Sequence, residues 1–370
     1  MEEDSILYIG VDASKMKHAI AIAEHGRDAE VRYLGEIETC PSAVERFIKK
    51  MARKARRLHF CYEAGPTGYG LYRQIVALGH SCDVVAPSLI PKRPGERVKT
   101  NRRDAVSLAR LLRAGELTAI WVPDTTHEAV RDLARAREAA SADLRKKRQQ
   151  LQSFLLRHGR TFTGHRNWSK AHRRWLSDQK FDHPAQQIVF QDYVDAVEDA
   201  TQRLHRLEAQ LVEIVPAWSM APVVAAYQAL RGVSFIVAVT FVAEVGDVRR
   251  FDNPRQLMAF LGLVPSERST GNTVRRAGLT LCGNRRARRV LVEGAWSYRH
   301  PARVTQIIRA RLEGLPKVVR EIAWKAQRRL CARYRRLTSV GKTAPVAIAA
   351  IAREMAAFLW AIGREVEPVC

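Results

Sequence analysis

The sequence lacks the spacing patterns that mark several common kinds of site. Its six cysteines are scattered without a CxxC pair, and its eleven histidines show no metal-ligand spacing. This excludes a zinc ribbon or a disulfide scaffold and suits a reducing compartment, so we expect a cytoplasmic protein. The sequence also has no P-loop and no dinucleotide-binding fingerprint.

Long hydrophobic runs are also scarce. The longest apolar run, around residues 233–245, is broken by polar residues and is shorter than a membrane span of ~20 residues. The acidic start, MEEDSILYIGVD, has no signal-peptide pattern. We therefore expect no membrane partner. Apolar residues make up 46% of the 370 residues, which excludes wholesale disorder and suits two or three domains.

Acidic residues are outnumbered by basic ones, 38 against 62, so the formal net charge is +24. Ten Lys and Arg without an acid lie in residues 145–174, seven Arg without an acid in 268–289, and twelve Lys and Arg with two Glu in 299–336. One basic run is ordinarily a solvated face, but three in one chain indicate a polyanionic partner, of which nucleic acid fits best. The candidate nucleic-acid-binding residues are Arg102, Arg103, Lys146, Lys147, Arg148, Arg275, Arg276, Arg285 and Arg286.

The first 124 residues have the pattern of an α/β domain. Three short apolar runs come first and are followed by alternating helical and apolar stretches. This order predicts a mixed sheet with helices packed on it. The predicted strands are residues 6–11, 19–23, 31–37, 58–62 and 82–85, and the predicted helices are 42–56, 67–78 and one that begins near 101.

Residues 125–218 form a helical middle region. One long helix, which Thr125 or Thr126 can cap, is predicted to run toward His158, and a second one covers about 186–215. Basic, aromatic-bearing residues 159–185 between them resemble a linker or a segment that nucleic acid orders. The second helix has an apolar seam, which fits either an intramolecular helical hairpin or a coiled-coil dimer; we favour self-association slightly. The seam consists of Phe190, Tyr193, Val197, Ala200, Leu204, Leu207, Leu211 and Ile214.

Residues 219–370 are predicted to be mostly helical. The stretch LRGVSFIVAVTFVAEVG has the layout of a helix-hairpin-helix with Gly232 in its turn, although Ser234 replaces the usual second glycine. Such a hairpin presents backbone N–H groups to a phosphate.

Three acids stand where strands and a helix can bring them together. Asp12 and Glu63 each end an apolar strand, and Asp104 begins a helix with Asn101 three residues before it. Converging oxygens of this kind bind Mg²⁺, often for phosphodiester chemistry, whereas each acid alone is more often a cap or a surface group. A strand that ends in Asp and a small residue also opens actin-like ATPase folds, but their glycine-rich phosphate loops are missing.

A second candidate site is the segment SERSTGNTVRRAGLTLCGNRRARR. A serine beside a glycine and among arginines can attack a phosphodiester, because the arginines stabilise the charge that develops. The alternative is a loop serine within a nucleic-acid-binding surface, and the spacing by itself favours that alternative.

The motifs YIGVDASK, YEAGPTGYG, VKTNRRDAVSLARLL and FDNPRQLMAFLGLVPSERSTGNTVRRAGLTLCGNRRARRVLVEGAW occur in this order over nearly the whole chain. With them the chain resembles the DEDD-type transposases of the insertion-sequence family called one-ten, including its one-one-one-one subgroup, which are bridge-RNA-guided DNA recombinases. The resemblance implies a RuvC/RNase H-like nuclease domain in residues 1–124, a coiled-coil region in 125–218 and a transposase domain in 219–370.

The resemblance also implies roles for residues. Asp12, Glu63 and Asp104 match three of the family's four metal-binding acids, and Asn101 stands at the fourth position, where its carbonyl can ligate Mg²⁺ without bringing charge. The family's nucleophile falls on Ser269, with Thr270 as the more hindered alternative.

The implied reaction attaches a DNA end to Ser269, after which strands exchange and are religated. The implied partners are donor and target DNA, a structured guide RNA and further copies of the chain, as a homodimer that assembles to a homotetramer. Two alternatives stay open: a metal-dependent, junction-resolving nuclease without a covalent intermediate, and a non-catalytic nucleic-acid-binding protein.

Overall fold

A computed structural model of the chain describes residues 6–26, 29–91, 100–271 and 273–369. The chain forms two compact units, residues 1–122 and 123–370. The first unit contains a mixed sheet with helices on both faces, as predicted. Its elements are β1 (Ile6–Ala13), β2 (Lys17–Ala23), β3 (Val31–Glu38), α1 (Pro41–Ala52), β4 (Arg57–Glu63), α2 (Gly70–Ala77), β5 (Ser81–Val85) and α3 (Asn101–Arg113).

The sheet of the first unit has the strand order β3-β2-β1-β4-β5. β1 pairs antiparallel with β2 and parallel with β4, while β2–β3 is antiparallel and β4–β5 parallel. The alternation of side chains along β1 divides the unit into two layers. Ile9 and Val11 pack with Val44 and Ile48 of α1 in one core, whereas Ala105 and other small residues of α3 cover the opposite face.

The second unit begins with two long helices. Its elements are α4 (Thr125–Arg157), α5 (Lys170–Ser177), α6 (Pro184–Ile214), α7 (Ala221–Tyr227), α8 (Phe235–Val245), α9 (Pro254–Phe260), β6 (Pro265–Thr270), β7 (Thr273–Leu279), α10 (Arg285–Ala295), α11 (Gln306–Leu312), α12 (Lys317–Ser339) and α13 (Ala344–Arg364). The cap of α4 is Asp124, whose carboxylate accepts from the backbone N–H of His127 at 2.7 Å, and not Thr125 or Thr126 as predicted. An Asp caps as well as a Thr does and adds charge at the positive end of the helix dipole.

The apolar seam of α6 packs against α4 within the same chain. Phe190, Val197 and Ala200 are buried together with Leu144 and Leu151 of α4. Ion pairs Arg137–Glu208 and Arg203–Asp143 join the two helices and show that they run antiparallel. The structure thus pairs the seam with α4 in an intramolecular helical hairpin, the first of the two alternatives that the sequence left open. Residues 159–185 are ordered as well: they contain α5, and the rings of Phe162, Trp168, His172 and Trp175 contact one another.

The helices after α6 enclose the largest hydrophobic core among the described residues. Gly232 lies in the turn between α7 and α8 with φ +85°, and a Cβ there would lie 2.2 Å from the carbonyl oxygen of Gly294 in α10. This glycine therefore permits close packing of the turn on α10. α13 is long and apolar enough to cross a membrane by length and composition. In the fold its side chains Ile351, Met355 and Leu359 are buried in the core.

Candidate active site and nucleic-acid-binding surface

Two of the predicted acids lie side by side at the carboxyl ends of neighbouring parallel strands. Val11 of β1 is in register with Tyr62 of β4, so the next residues, Asp12 and Glu63, stand at the same level. Adjacent strands are about 4.8 Å apart. Both residues are half-buried. The sheet thus places the two carboxylates as neighbours.

Both acids face α3. In β1, Gly10 contacts the backbone of α3, and Asp12 lies two residues further on the same face. In β4, the thiol of Cys61 donates to the carbonyl oxygen of Leu108 in α3 at 3.6 Å, and Glu63 again lies two residues further. Side chains two apart on a strand share a face. The alternation therefore directs both carboxylates to the helix side of the sheet.

Helix α3 brings the third acid to the same end of the sheet. The guanidinium of Arg113, at its C-terminus, donates to the carbonyl oxygens of Ala29 at 2.6 Å and Glu24 at 3.3 Å, beside the starting end of β1. The helix hence runs antiparallel to β1, and its first turn lies toward Asp12. Asp104 is in that first turn and is half-buried.

Gly10 makes the close approach of α3 to the sheet feasible. A Cβ at this position would lie 2.3 Å from the carbonyl oxygen of Ala105 and 2.4 Å from the amide nitrogen of Ala109. Real Cβ atoms do not come this close to backbone atoms, so any larger residue must push α3 off β1. The spacing of Asp12 and Asp104 therefore depends on a glycine two residues before the acid.

We expect Gly10→Ala to lower the free energy of unfolding by about 2–4 kcal/mol, because it overpacks a contact between two backbones. Strand cleavage should fall with it, since Asp104 moves away from Asp12. Gly70→Ala is the matched control, as a Cβ there meets nothing within 4 Å. Urea unfolding of both variants measures the effect, and equal stabilities would show that the helix contact is not as tight as described.

The side chains of the three acids do not form a closed metal site in the structure. Within the described residues, no three His, Cys, Asp or Glu side chains are grouped closely enough to hold a metal ion. Asn101, at the fourth position, is exposed. The backbone thus supplies a corner with oxygen ligands of the type that Mg²⁺ prefers.

Ser269 lies on a two-stranded hairpin that the sequence did not predict. β6 pairs antiparallel with β7, with Ser269 opposite Val274 and Thr270 opposite Thr273. Gly271 follows with φ +57°. Ser269 is exposed near the tip, and its hydroxyl donates to a carboxylate oxygen of Glu267 at 2.7 Å. Ser269 and Glu267 share one face of β6, whereas Thr270 points to the other.

The base of this hairpin is fixed to the core by backbone contacts. A Cβ on Gly262 would lie 2.0 Å from the carbonyl oxygen of Cys282, and one on Gly283 would lie 2.0 Å from that of Phe260. The guanidinium of Arg288 donates to the carbonyl oxygens of Leu261 at 2.8 Å and Cys282 at 3.1 Å. The hairpin is thus anchored where its strands begin and end, while its tip is exposed.

A buried carboxylate fixes the helix that follows the hairpin. Glu244 accepts from the guanidinium of Arg135 at 2.7 and 3.0 Å and from the side-chain amide of Asn284 at 2.8 Å. Asn284 in turn caps α10 by accepting from the amide of Ala287 at 3.0 Å. Burial alone raises the pKa of Glu244, but the bonds from Arg135 and Asn284 together lower it below its ordinary value.

Glu244→Gln should lower the free energy of unfolding by about 2 kcal/mol at pH 7, because it removes charge from a buried, hydrogen-bonded pair whose Arg135 is partly exposed. The folded pKa of Glu244 is lowered, so its contribution is complete above the unfolded pKa of about 4.3 and is lost as pH falls below it. Urea unfolding at pH 7 and pH 3.5 should show the difference between wild type and variant shrinking. Glu293→Gln, on an exposed pair with Arg289, is the control; a difference that does not depend on pH would contradict the role of Glu244.

The predicted basic residues fall into two groups. Arg103, Lys146, Arg275 and Arg285 are exposed, and Arg102 is exposed with its guanidinium 5.4 Å from the ring centre of Tyr33. Lys147 and Arg148 are half-buried. Arg286 pairs with Glu138 at 2.7 Å, so part of its charge is already balanced within the chain. The side chain of Arg276 lies outside the described residues.

Arg148 lines a cavity of about 390 Å³ between α4, α5 and α6. Its guanidinium stacks 4.8 Å from the ring centre of Trp168. Burial and then the nearby charge of Arg173 lower the pKa of Arg148, and its Nε, which is buried, has no hydrogen-bond partner within the described chain. Two guanidiniums at one cavity favour an anion there. Trp168 and Arg173 were not among the predicted residues, although they stand in the first acid-free basic block.

Comparison with known proteins identifies the family. The chain matches a family model of DEDD-type IS110 transposases over residues 9–159 and the model of the transposase IS116/IS110/IS902 family over residues 225–310. It is 57% identical over 358 residues to the y4qE protein of Sinorhizobium fredii, whose name describes it as a transposase, covering 97% of this chain and 88% of that protein. The chain belongs to the IS110 family of transposases.

A second relative of this IS110-family chain is the transposase for insertion sequence element IS1533 of Leptospira borgpetersenii. It is 31% identical over 339 residues, which are 90% of this chain and 96% of the relative. The transposase for insertion sequence element IS1111A of Coxiella burnetii is 41% identical over 68 residues, 18% of this chain. The first family match includes Asp12, Glu63 and Asp104, and the second includes Ser269. The chain is therefore a DNA transposase, and both candidate sites lie within the residues that the two family models match.

Proposed function

We propose that this IS110-family transposase is a guide-RNA-directed DNA recombinase that uses both candidate sites. In this proposal the acids on the sheet hold Mg²⁺ at the scissile phosphate, and Ser269 attacks that phosphate. The DNA end is then held covalently until strands exchange and are religated. The single observation that carries the proposal is the placement of Asp12, Glu63 and Asp104 on one face and at one end of the first unit.

The metal would be held by residues of matching chemistry. Asp12, Glu63 and Asp104 supply carboxylate oxygens, and the exposed Asn101, one turn before Asp104, supplies a carbonyl oxygen. When bound, Mg²⁺ neutralises charge that develops on the phosphate. With three carboxylates and one neutral ligand the site carries less charge than four acids would.

The serine part of the proposal is supported by the position of Ser269. It is exposed on an arginine-rich hairpin, where a DNA backbone can approach, and it already makes a hydrogen bond to a carboxylate. A nuclease that only hydrolyses DNA with metal-bound acids has no use for such a residue. We therefore favour the function of a recombinase over that of a junction-resolving nuclease.

The nucleic-acid partners are donor DNA, target DNA and a structured RNA. The exposed arginines Arg102, Arg275 and Arg285 occur in both units, and the cavity at Arg148 adds a third basic region on the helical hairpin. Basic surface spread over the chain in this way exceeds what one short duplex contacts. We propose that homodimers, which assemble to tetramers, provide the two copies that strand exchange between two DNA duplexes needs.

The experiment that tests the function uses the full-length protein with Mg²⁺, DNA carrying the element junction, target DNA and the RNA from the element's non-coding end. Denaturing gels then separate free DNA, cut DNA and protein-bound DNA. Recombinant product with a protease-sensitive adduct supports the proposal. Cut DNA without an adduct would replace it by the metal-dependent nuclease, and native gel shifts without any cutting would replace it by a binding protein.

A further inference from the structure

We infer that Glu267 is a catalytic residue that accepts the proton of Ser269 when the serine attacks the scissile phosphate. The inference rests on the proposed function and deepens it, since it identifies the base that the serine requires. It also selects Ser269 over Thr270 as the nucleophile. The observation behind it is the hydrogen bond of 2.7 Å from the Ser269 hydroxyl to the Glu267 carboxylate.

The hairpin holds these two side chains together. They stand two residues apart on β6, hence on one face, and each is paired across the strands, Glu267 with Arg276 and Ser269 with Val274. Both are exposed, so DNA can reach the hydroxyl without a change of the core. Thr270 lies on the other face of the strand, away from the face that carries the carboxylate.

The charge around Glu267 makes its presence unusual. It is the only acid between residues 264 and 284, at the start of a stretch that holds seven arginines in residues 268–289. On a surface that binds phosphates, a carboxylate weakens binding by repulsion. A carboxylate beside the serine therefore opposes DNA binding, whereas proton transfer gives it a role in the reaction.

A base beside the serine has a clear chemical use. A serine hydroxyl is a weak nucleophile at neutral pH and is activated by an adjacent base. In the step, the bond between Oγ of Ser269 and phosphorus forms, the proton of Oγ moves to the carboxylate of Glu267, and the bond from phosphorus to the leaving sugar oxygen breaks. That oxygen takes a proton from water, and the hydroxide that remains is neutralised by the proton on Glu267. Religation runs the same step in reverse, and Glu267 returns the proton to Oγ.

The test compares Glu267→Gln, Glu267→Ala and Glu267→Asp in the full-length protein, using the rate at which the covalent adduct forms. A glutamine still accepts the serine's hydrogen bond and holds its rotamer, but it cannot take a proton. We therefore expect Glu267→Gln to be slowed as much as Glu267→Ala, about 10²–10⁴-fold. Glu267→Asp should recover part of the rate, because it keeps a carboxylate. Glu293→Gln, which removes one negative charge from an exposed position on α10, should react like wild type.

DNA binding, measured by native gel shift, distinguishes a role of Glu267 in proton transfer from a role in binding DNA. Binding should be unchanged or tighter in Glu267→Gln, as a negative charge is lost. An adduct rate near wild type in Glu267→Gln, with loss only in Glu267→Ala, would show that Glu267 positions the serine and would overturn the inference. So would a Glu267→Asp variant no faster than Glu267→Gln. If wild type forms no adduct at all, the proposed serine chemistry fails; if it does and Glu267→Gln forms it equally fast, only the inference fails.

Discussion

Ser269→Ala should abolish the covalent protein–DNA adduct and with it the recombinant product. The hydroxyl oxygen is the atom that bonds to phosphorus in the proposed step, and alanine offers no replacement. The expected loss is at least about 10⁴-fold, comparable with removal of the nucleophile in other covalent enzymes. Because Ser269 is exposed, stability should change by less than about 0.5 kcal/mol.

Thr270→Ala is the matched control for the serine. It changes a hydroxyl residue next in sequence and equally exposed, on the opposite face of β6. Denaturing gels with and without protease treatment compare the two variants. If Thr270→Ala loses the adduct while Ser269→Ala keeps it, the assignment of the nucleophile is wrong, and with it the role of Glu267.

Asp12→Ala should abolish strand cleavage while binding of DNA and RNA stays nearly intact. Asp12 is the acid on the central strand, with Glu63 beside it and the first turn of α3 in front of it. Loss of the bound metal ion removes several kcal/mol of transition-state stabilisation, which is on the order of a thousandfold in rate. Cleavage gels over a series of Mg²⁺ concentrations measure the effect, and gel shifts measure binding.

Glu45→Ala controls for the loss of one carboxylate from the same unit. Glu45 lies on α1, which packs on the opposite face of the sheet, and it pairs with Lys49, one helical turn further along α1. This variant should cleave at the wild-type rate. Cleavage by Asp12→Ala at that rate would exclude Asp12 as a metal ligand.

The neighbouring positions of Asp12 and Glu63 could be predicted because the strands that carry them have clear apolar patterns. Apolar runs that end in Asp12 and Glu63 identify two buried strands, and parallel neighbours end at the same edge of a sheet. The sequence does not reveal how closely α3 packs on the sheet. That distance follows from Gly10 meeting Ala105 and Ala109, a contact between residues about a hundred positions apart.

The hairpin of Ser269 was missed for a physical reason. Strands are recognised by alternation of buried and exposed residues, and β6 is largely exposed, from Glu267 to Thr270. No buried face imposes an apolar period of two on its sequence. The signal that was present is the turn: Gly271 and Asn272 stand between two threonines, which is typical of a two-residue hairpin connection.

The seam of α6 shows a different limit. Its spacing correctly identifies a helix with one apolar side. A heptad pattern does not show whether a helix of the same chain or of a second copy covers that side. Here α4 does so, and the ion pairs with Glu208 and Asp143 fix its direction. Any dimer of this transposase must therefore use other surfaces than the buried part of the seam.

The β6–β7 hairpin is fixed at its base and exposed at its tip, so a rotation about the base displaces the tip. Contacts at Gly262, Gly283 and Arg288 fix its base, while Ser269 lies four residues out, about 13 Å at ~3.3 Å per residue. A tilt of only about 10° at the base moves the nucleophile by roughly 2 Å, which separates an attacking distance from an idle one. The position of Ser269 is therefore sensitive to small rotations of the hairpin about its anchored base.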